Sequence, residues 1–191
     1  MSRFIISYDD LPISVNQYIK PSARFNPKTG RTQIHMYETR ESKDFKKRFQ
    51  AYLKREVIKQ KWDVEQTKNG HWYLDCIFYQ SRTNQDNNNY YKILCDALTG
   101  IVIDDDKNIL VRTQRVMYDS KNPRFVAVLR PVEYTGIFKD NGQYTEFLEY
   151  NCLNCKKDKE KCPILRKAKE GRIQQEIHID NGLLICEKRK T

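Results

Sequence analysis

The sequence has no long apolar run, little glycine or proline and no internal repeat. No stretch approaches the roughly 18 consecutive apolar residues of a membrane-spanning helix, and the first residues lack the pattern of a secretory signal. With only 7 Gly and 6 Pro among 191 residues, no flexible Gly/Ser linker divides the chain. We therefore expect a soluble, cytoplasmic protein without a membrane partner, with one ordinary domain and a small appendage.

What the chain has in excess is positive charge. Its 35 Lys and Arg residues outnumber 25 Asp and Glu residues, which gives a formal net charge of +10 and a pI near 9.3. Such a balance favours an anionic partner, nucleic acid before others. A hydrophobic content of 39% with twelve tyrosines supports a folded core and argues against wholesale disorder.

Against this basic background, residues 84–106 form an acidic segment with a single lysine, Lys92. A helix is predicted from Asn88 to Leu98, with Asp86 or Asn87 as its N-terminal cap and Gly100 as its C-terminal cap. At about 100° per residue, Asn88, Lys92 and Asp96 lie in one narrow polar stripe. The rest of the circumference is mostly apolar, so the helix is expected to be buried on most sides.

Residues 101–103 are predicted to be a short buried extended run that leads into a turn containing Asp104, Asp105 and Asp106. The two acidic clusters are thus expected to meet. Oxygen ligands of this kind suit Mg²⁺, which polarises a phosphoryl oxygen and activates a water molecule. The alternative is that Asp86 is only a cap, Asp96 a solvated side chain and the three aspartates an ordinary turn.

This pattern resembles the RusA family of Holliday junction resolvases, small metal-dependent endonucleases common in bacterial prophages. The family's helix motif is matched by Asp86, Asn89, Lys92, Asp96 and Leu98. Its downstream aspartate pair is similar to Asp105-Asp106, followed by Lys107-Asn108-Ile109. The likeness covers about residues 4–131, although outside the motifs it is only a matter of element order.

The chain departs from the family at Asn88, where the family has its second metal-binding carboxylate. An amide oxygen still coordinates magnesium but contributes no charge. Three explanations remain: Asn88 is a weaker ligand, Asp104 or Asp105 supplies the missing charge, or the protein binds junctions without cutting them. Because three aspartates follow one another, the family's aspartate pair aligns with them in more than one way. Asp106 is the preferred metal-binding residue of the pair, and Asp105 is the second choice.

The resemblance implies a Mg²⁺-dependent endonuclease that resolves Holliday junctions in DNA recombination and repair. It implies a homodimer, because one four-way junction needs two symmetric cuts, and a bacterial or prophage-encoded protein associated with the nucleoid. Lys92 would stabilise the phosphorane or the leaving group. The implied catalytic residues are Asp86, Asn88, Lys92, Asp96, Asp105 and Asp106. The implied magnesium ligands are Asp86, Asn88 and Asp106.

Two other classes of function stay open. One is a non-catalytic protein that binds junctions or other nucleic acid with a degenerate nuclease site, which Asn88 favours. The other is a scaffold whose basic surface meets an acidic protein. Magnesium-dependent cleavage separates the nuclease from the first, and salt-sensitive binding to junction DNA separates both from the scaffold.

Residues 12–18 are similar to a Pro-x-Ser-x-Asn-x-Tyr loop of the family, and the resemblance places Asn16 and Tyr18 near the DNA and the active site. A mobile basic loop is predicted to follow, with Lys20 and Arg24 as phosphate contacts. The alternatives are a plain capped surface loop and a solvated basic one.

The remaining elements predict an α+β domain with a mixed sheet and two helices. Residues 71–80 are largely apolar on both faces and are predicted to be a central strand. The second helix is predicted at residues 41–60, and its basic face lies along DNA or in solvent. The other strands are predicted at residues 3–8, 32–37, 108–118 and 124–132, the last two forming a hairpin.

The C-terminal residues hold four cysteines in a segment that is predicted to be too small for a core of its own. Four thiolates that include a Cys-x-x-Cys pair favour a structural Zn²⁺ site, with an iron–sulfur cluster or no metal as alternatives and His178 as a substitute ligand. The four are Cys152, Cys155, Cys162 and Cys186. The predicted organisation is a nuclease domain at residues 1–133, a connector at 134–150 and a Cys-rich metal-binding module at 151–191.

Overall fold

The structure, a computed structural model, describes residues 2–190 and divides into two compact units, one ending at Pro131 and the other beginning at Val132. Within residues 2–190, no helix is both long enough and apolar enough to cross a membrane.

The described part of the first unit contains six strands and three α-helices, besides short 3-10 helices. The strands are β1 (Phe4–Tyr8), β2 (Ile19–Asn26), β3 (Arg31–Glu38), β4 (Trp72–Gln80), β5 (Ile109–Tyr118) and β6 (Arg124–Pro131). The helices are α1 (Val15–Tyr18), α2 (Arg40–Lys59) and α3 (Tyr91–Leu98). The four-residue α1 was not predicted, because residues 12–18 have no helical periodicity long enough to reveal it.

A four-stranded sheet in the order β1-β6-β4-β5 is the frame of this unit. Strand β4 runs parallel to β5 and antiparallel to β6. The predicted α+β class with a mixed sheet is thus confirmed, and so is the central place of residues 71–80. Trp72, Leu74, Cys76 and Phe78 are buried on one face of β4.

The predicted hairpin of β5 and β6 is wrong, because β4 lies between the two strands. Five residues join Tyr118 to Arg124. Two strand spacings amount to roughly 10 Å, which a connection of this length spans easily. The apolar β4 therefore takes the interior position and pairs along both of its edges, which no feature of the connecting residues reveals.

Helix α2 supplies the other layer of the core. Thr39 caps it, since the Ser42 backbone N–H donates to the Thr39 hydroxyl. Phe45, Phe49 and Leu53 lie one helical turn apart and are fully buried. The ring of Phe49 packs 4.8 Å from that of Tyr8 and 5.5 Å from that of Phe125, which fixes the helix against β1 and β6.

The predicted mobile basic loop is instead a two-stranded antiparallel ribbon made of β2 and β3. A turn joins the strands where the N–H groups of Thr29 and Gly30 donate to the carbonyl of Asn26. Gly30 has φ of +63°, a conformation that favours glycine. The prediction was wrong because Pro27 and Gly30 lie only in the turn between the strands, while Pro21 lies inside β2, where a two-stranded ribbon tolerates it as an edge strand.

The second unit has a core of its own, formed by Phe138, Phe147, Leu165, Ala168 and Ile177. The Cys-rich segment that was predicted to be too small for a core of its own, residues 151–191, supplies only three of these five residues. Residues 134–150, predicted to be a connector, contain a helix and contribute two of these buried aromatic rings. The elements are α4 (Asn141–Phe147), α5 (Pro163–Lys169), β7 (Ile177–Asp180) and β8 (Leu183–Cys186).

Candidate active site

The acidic segment begins as a 3-10 turn rather than as an α-helix. Asn87–Tyr90 is 3-10 and α3 follows directly, so the predicted helix from Asn88 is correct only in its later part. Asp86 caps the turn, because its Oδ1 accepts from the Asn88 N–H at 2.9 Å. With only three residues per turn, Asn88 lies off the α-helical stripe predicted for Lys92 and Asp96.

The loop after α3 is a turn and not the extended run that was predicted. The N–H of Val102 donates to the carbonyl of Leu98 at 2.9 Å, and Val102 and Ile103 are fully buried. The indole N–H of Trp62 donates to the Val102 carbonyl at 2.8 Å. Because backbone groups here bond to the helix end and to Trp62, they are not free to form a strand ladder.

Thr67 holds the turn that carries the three aspartates. Its hydroxyl accepts from the Asp104 N–H at 2.8 Å, and its carbonyl accepts from the Asn108 side-chain amide at 3.2 Å. Thr67 and Asn108 are buried, so both bonds are shielded from water. Sequence reasoning missed Thr67 and Trp62, since neither belongs to a motif and both are distant along the chain.

The aspartates of this turn make different contacts. Asp105 caps the short 3-10 helix Asp106–Asn108 and bonds to Lys107 through both its backbone N–H and its ammonium group, at 3.0 and 2.6 Å. These bonds to Lys107 lower the pKa of Asp105. Asp106 instead lies 3.8 Å from the ammonium of Lys92.

Lys92 joins the two acidic clusters. Its Nζ lies 2.7 Å from Asp96 Oδ1, one helical turn away, and also reaches Asp106. The hydrogen bond to Asp96 raises the pKa of Lys92, and the charges of Asp96 and Asp106 raise it further. Lys92 is therefore a protonated cation at neutral pH that offsets the repulsion between two carboxylates.

Tyr18 is part of the same cluster. Its hydroxyl donates to Asp96 Oδ2 at 2.5 Å and accepts from the Lys46 ammonium at 3.3 Å, while Lys46 also forms an ion pair with Glu38 at 3.1 Å. Burial and the bond to Asp96 raise the pKa of Tyr18, so the phenol stays a neutral donor. Only 4% of Tyr18 is exposed, and the structure places it beside Asp96 rather than on the surface.

A half-buried thiol, that of Cys95, borders the same carboxylates. Burial raises the pKa of Cys95 to about 12, and the charges of Asp106 and Asp96 add to this effect. The Cys95 thiol therefore stays protonated at neutral pH.

The other predicted site residues lie at the surface. Asp86 and Asn88 are exposed, and the Asn88 N–H donates to the Asp86 side chain that caps the 3-10 turn. Asn16, Lys20 and Arg24 are exposed. No group of three or more His, Cys, Asp or Glu side chains in the described part of the chain is arranged to hold a metal ion. The predicted magnesium set has only two carboxylates, because Asn88 is an amide.

In the second unit all four cysteines are free thiols. Burial raises the pKa of Cys152, and the neighbouring Cys162 and Cys186 raise it further. Backbone N–H groups of Lys190 and Lys157 lower the pKa of Cys155. The thiols thus influence one another, yet they do not form an assembled zinc-binding group, and a zinc site there stays a prediction.

The residues of this site fall within the part of the chain that matches a known protein family. The model of the family described as endodeoxyribonuclease RusA matches residues 18–129, more than half of the chain. This range includes Tyr18, Lys46, Lys92 and both acidic clusters, and it ends before the second unit. None of the curated proteins compared with the chain matches it.

Proposed function

Because the chain belongs to the family of endodeoxyribonuclease RusA, we propose that it is a magnesium-dependent endonuclease that cuts four-way DNA junctions in recombination and repair. The resemblance found in the sequence is confirmed at the level of this family. The observation that supports the proposal most strongly is the meeting of Asp96 and Asp106 at Lys92 within the matched range. A net charge of +10 suits a polyanionic substrate.

The proposed magnesium ligands are Asp86, Asn88 and Asp106, with Asp105 as the second choice. Their oxygen atoms are the donors that this hard cation prefers. Bound there, magnesium would supply a polarised phosphoryl oxygen and an activated water molecule. Asp105 is the weaker candidate, because both of its oxygens are engaged by Lys107.

The remaining residues have roles that follow from their contacts. The ammonium of Lys92 lies where it can offset negative charge that develops on the phosphorane or the leaving oxygen. Asp96 is fixed from two sides, by Lys92 at Oδ1 and by Tyr18 at Oδ2, so its orientation is set before substrate binds. Tyr18 is thus proposed to position Asp96, in place of the direct DNA contact that the sequence predicted.

DNA affinity is proposed to come mainly from phosphate contacts. Asn16, Lys20 and Arg24 are exposed and free to face a DNA backbone. Binding that rests on such contacts weakens steeply as salt concentration rises. A homodimer is proposed because paired cuts in one junction require two active sites related by symmetry.

A second candidate function is a junction-binding protein that does not cut. Asn88 favours it, since a neutral amide stands where the family has a carboxylate. The basic surface would then bind DNA while the acidic site has lost its activity.

Cleavage of a labelled synthetic four-way junction by the purified protein tests the nuclease. The reaction is run with Mg²⁺ and with EDTA, beside an Asp106→Asn variant and a linear duplex. Paired, magnesium-dependent nicks that the variant fails to make are the expected result. Tight junction binding without cuts, even with Mn²⁺, would leave the non-catalytic alternative.

We also propose that Cys152, Cys155, Cys162 and Cys186 bind one structural zinc ion, because thiolates in a Cys-x-x-Cys pair with two further thiolates suit tetrahedral Zn²⁺. Metal analysis of protein purified without chelator is expected to give one zinc per chain and none in a Cys152→Ser/Cys155→Ser variant. Iron with acid-labile sulfide would instead show an iron–sulfur cluster, and no metal would end the proposal.

A further inference from the structure

The ribbon of β2 and β3 has two chemically different faces. In an antiparallel pair, directly opposed residues point to the same side and alternate positions point to opposite sides. Pro21 opposes Met36, and Ala23 opposes Ile34. Phe25 continues the same side, which is therefore an apolar ladder.

The side chains of this apolar ladder are open to solvent. Phe25 is 62% exposed, Met36 63% and Ile34 72%. A two-stranded hairpin alone is only marginally stable in water, and a contiguous exposed apolar patch marks a binding surface. We therefore expect a binding partner to cover the apolar ladder.

The opposite face and the turn identify the chemistry of that partner. Lys20 and Arg24 alternate with the apolar positions, and Arg31 pairs with Asn26 on the same polar side. Between residues 19 and 37 the chain has four Lys or Arg residues and no Asp or Glu. A ribbon with this charge is complementary to a polyanion and would repel a second copy of itself.

We propose that this ribbon recognises the branch point of the DNA: its basic face contacts phosphates while Phe25, Ile34 and Met36 pack against bases that are unstacked there. This inference rests on the proposed junction substrate and deepens it by naming what distinguishes a junction from a duplex. A two-stranded ribbon has the width of a DNA major groove. Apolar side chains such as Phe, Ile and Met are the ones that insert between base steps, and insertion costs least where stacking is already broken.

The root of the ribbon places it beside the candidate active site. Tyr18, which bonds to Asp96, immediately precedes β2, and Glu38, which pairs with Lys46, ends β3. The Thr39 N–H donates to the Tyr18 carbonyl at 3.0 Å, which closes the root. The ribbon thus begins beside the carboxylates, and a branch point that it holds lies within roughly 25 Å of them.

The test is binding in EDTA, so that it does not depend on cleavage. An Ile34→Thr/Met36→Thr variant removes the ladder's apolar surface and keeps residues that favour strands. Ile58→Thr, at an equally exposed position on α2, is the matched control. Dissociation constants are measured for a four-way junction and for a linear duplex of the same sequence. A junction with 2-aminopurine beside the branch point reports unstacking.

The double variant is expected to bind the junction about tenfold or more weakly and the duplex within about twofold of the wild type, since contacts to unstacked bases are lost while phosphate contacts remain. Binding of the wild type should raise the fluorescence of 2-aminopurine, because the base beside the branch point is unstacked. The double variant should not produce this rise. Arg24→Gln should instead weaken binding to the junction and to the duplex alike. It should also reduce the slope of log binding constant against log salt concentration by about one.

An unchanged ratio of the two dissociation constants would overturn the inference. A double variant whose mass in solution falls to half that of the wild type would also overturn it, because the ladder would then be an interface between two copies. Failure of the wild type to cut in Mg²⁺ would refute the proposed nuclease and leave this binding test able to succeed or fail by itself.

Discussion

Replacing Tyr18 by phenylalanine removes the hydroxyl group that bonds to Asp96 Oδ2, while Lys92 bonds to Oδ1. The ring stays in its buried place, so the change is confined to the bond to Asp96 Oδ2 and the bond from Lys46. A hydrogen bond to a charged group contributes about 1.5–3 kcal/mol, and each 1.36 kcal/mol of barrier is a factor of about ten in rate. We therefore expect Tyr18→Phe to slow the chemical step by roughly tenfold to a hundredfold.

The assay is single-turnover cleavage of a four-way junction with protein in excess, together with the dissociation constant of the junction in EDTA. The rate should fall while the dissociation constant stays unchanged, a division that loss of folded protein does not produce. Tyr52→Phe is the control, because that hydroxyl accepts from the Ser7 backbone N–H and meets no acidic side chain of the candidate site. Wild-type cleavage by Tyr18→Phe would refute the positioning role.

Lys46 should act through Tyr18, because its ammonium bonds to that hydroxyl. Lys46→Met is expected to slow cleavage, and its effect should largely vanish in the Tyr18→Phe background, since residues that act as one unit are not additive. Lys46→Met could instead reduce the slope of log binding constant against log salt concentration by about one. That result would identify Lys46 as a phosphate contact.

Three further predictions concern other parts of the chain. Asn88→Asp restores a charged oxygen ligand, so half-maximal cleavage should need several-fold less Mg²⁺, and an unchanged or higher requirement would count against Asn88 as a ligand. Phe49→Ala should lower the free energy of unfolding, measured by urea titration, by about 3–5 kcal/mol, because Phe49 is fully buried. The control Ile58→Ala, at an exposed position, should lower it by less than about 0.5 kcal/mol. A loss under about 1 kcal/mol for Phe49→Ala would contradict the packing described. In EDTA-treated protein at pH 7, iodoacetamide should label Cys155 before Cys95, because a lowered pKa gives Cys155 more thiolate while a pKa of about 12 keeps Cys95 protonated. Mass spectrometry that finds Cys95 labelled before Cys155 would contradict this order.

Periodicity along the chain predicted the layers of the first unit well. The apolar spacing of Phe45, Phe49 and Leu53 and the composition of residues 71–80 were enough to place a long helix and a central strand. They did not give strand adjacency, because β5 and β6 are neighbours in sequence but each pairs with β4 instead. They predicted strand β3, at residues 32–37, but not its partner β2, because Pro21, Pro27 and Gly30 favour a loop.

In the candidate site, spacing identified Lys92 and Asp96, since residues four apart in a helix share a face. Asp106 was preferred over Asp105 on the family pattern, and the structure places Asp106 nearer to Lys92 while Asp105 bonds to Lys107. The partners that fix these side chains could not be predicted. Thr67 and Trp62 lie tens of residues away and carry no motif of their own. The resemblance places Tyr18 near the active site, but it does not reveal the bond from Tyr18 to Asp96.

The sequence by itself determined the chemical inventory: a basic chain, an acidic helix segment, an aspartate-rich turn and the family to which they belong. Only the tertiary structure decided which of those groups meet, because a hydrogen bond such as Tyr18 to Asp96 joins elements 78 residues apart. It also decided which residues share one exposed face of the ribbon, since that depends on the register of β2 against β3. These residues are Pro21, Ala23, Phe25, Ile34 and Met36. Composition and local periodicity record neither long-range contact nor register, so both had to come from the fold.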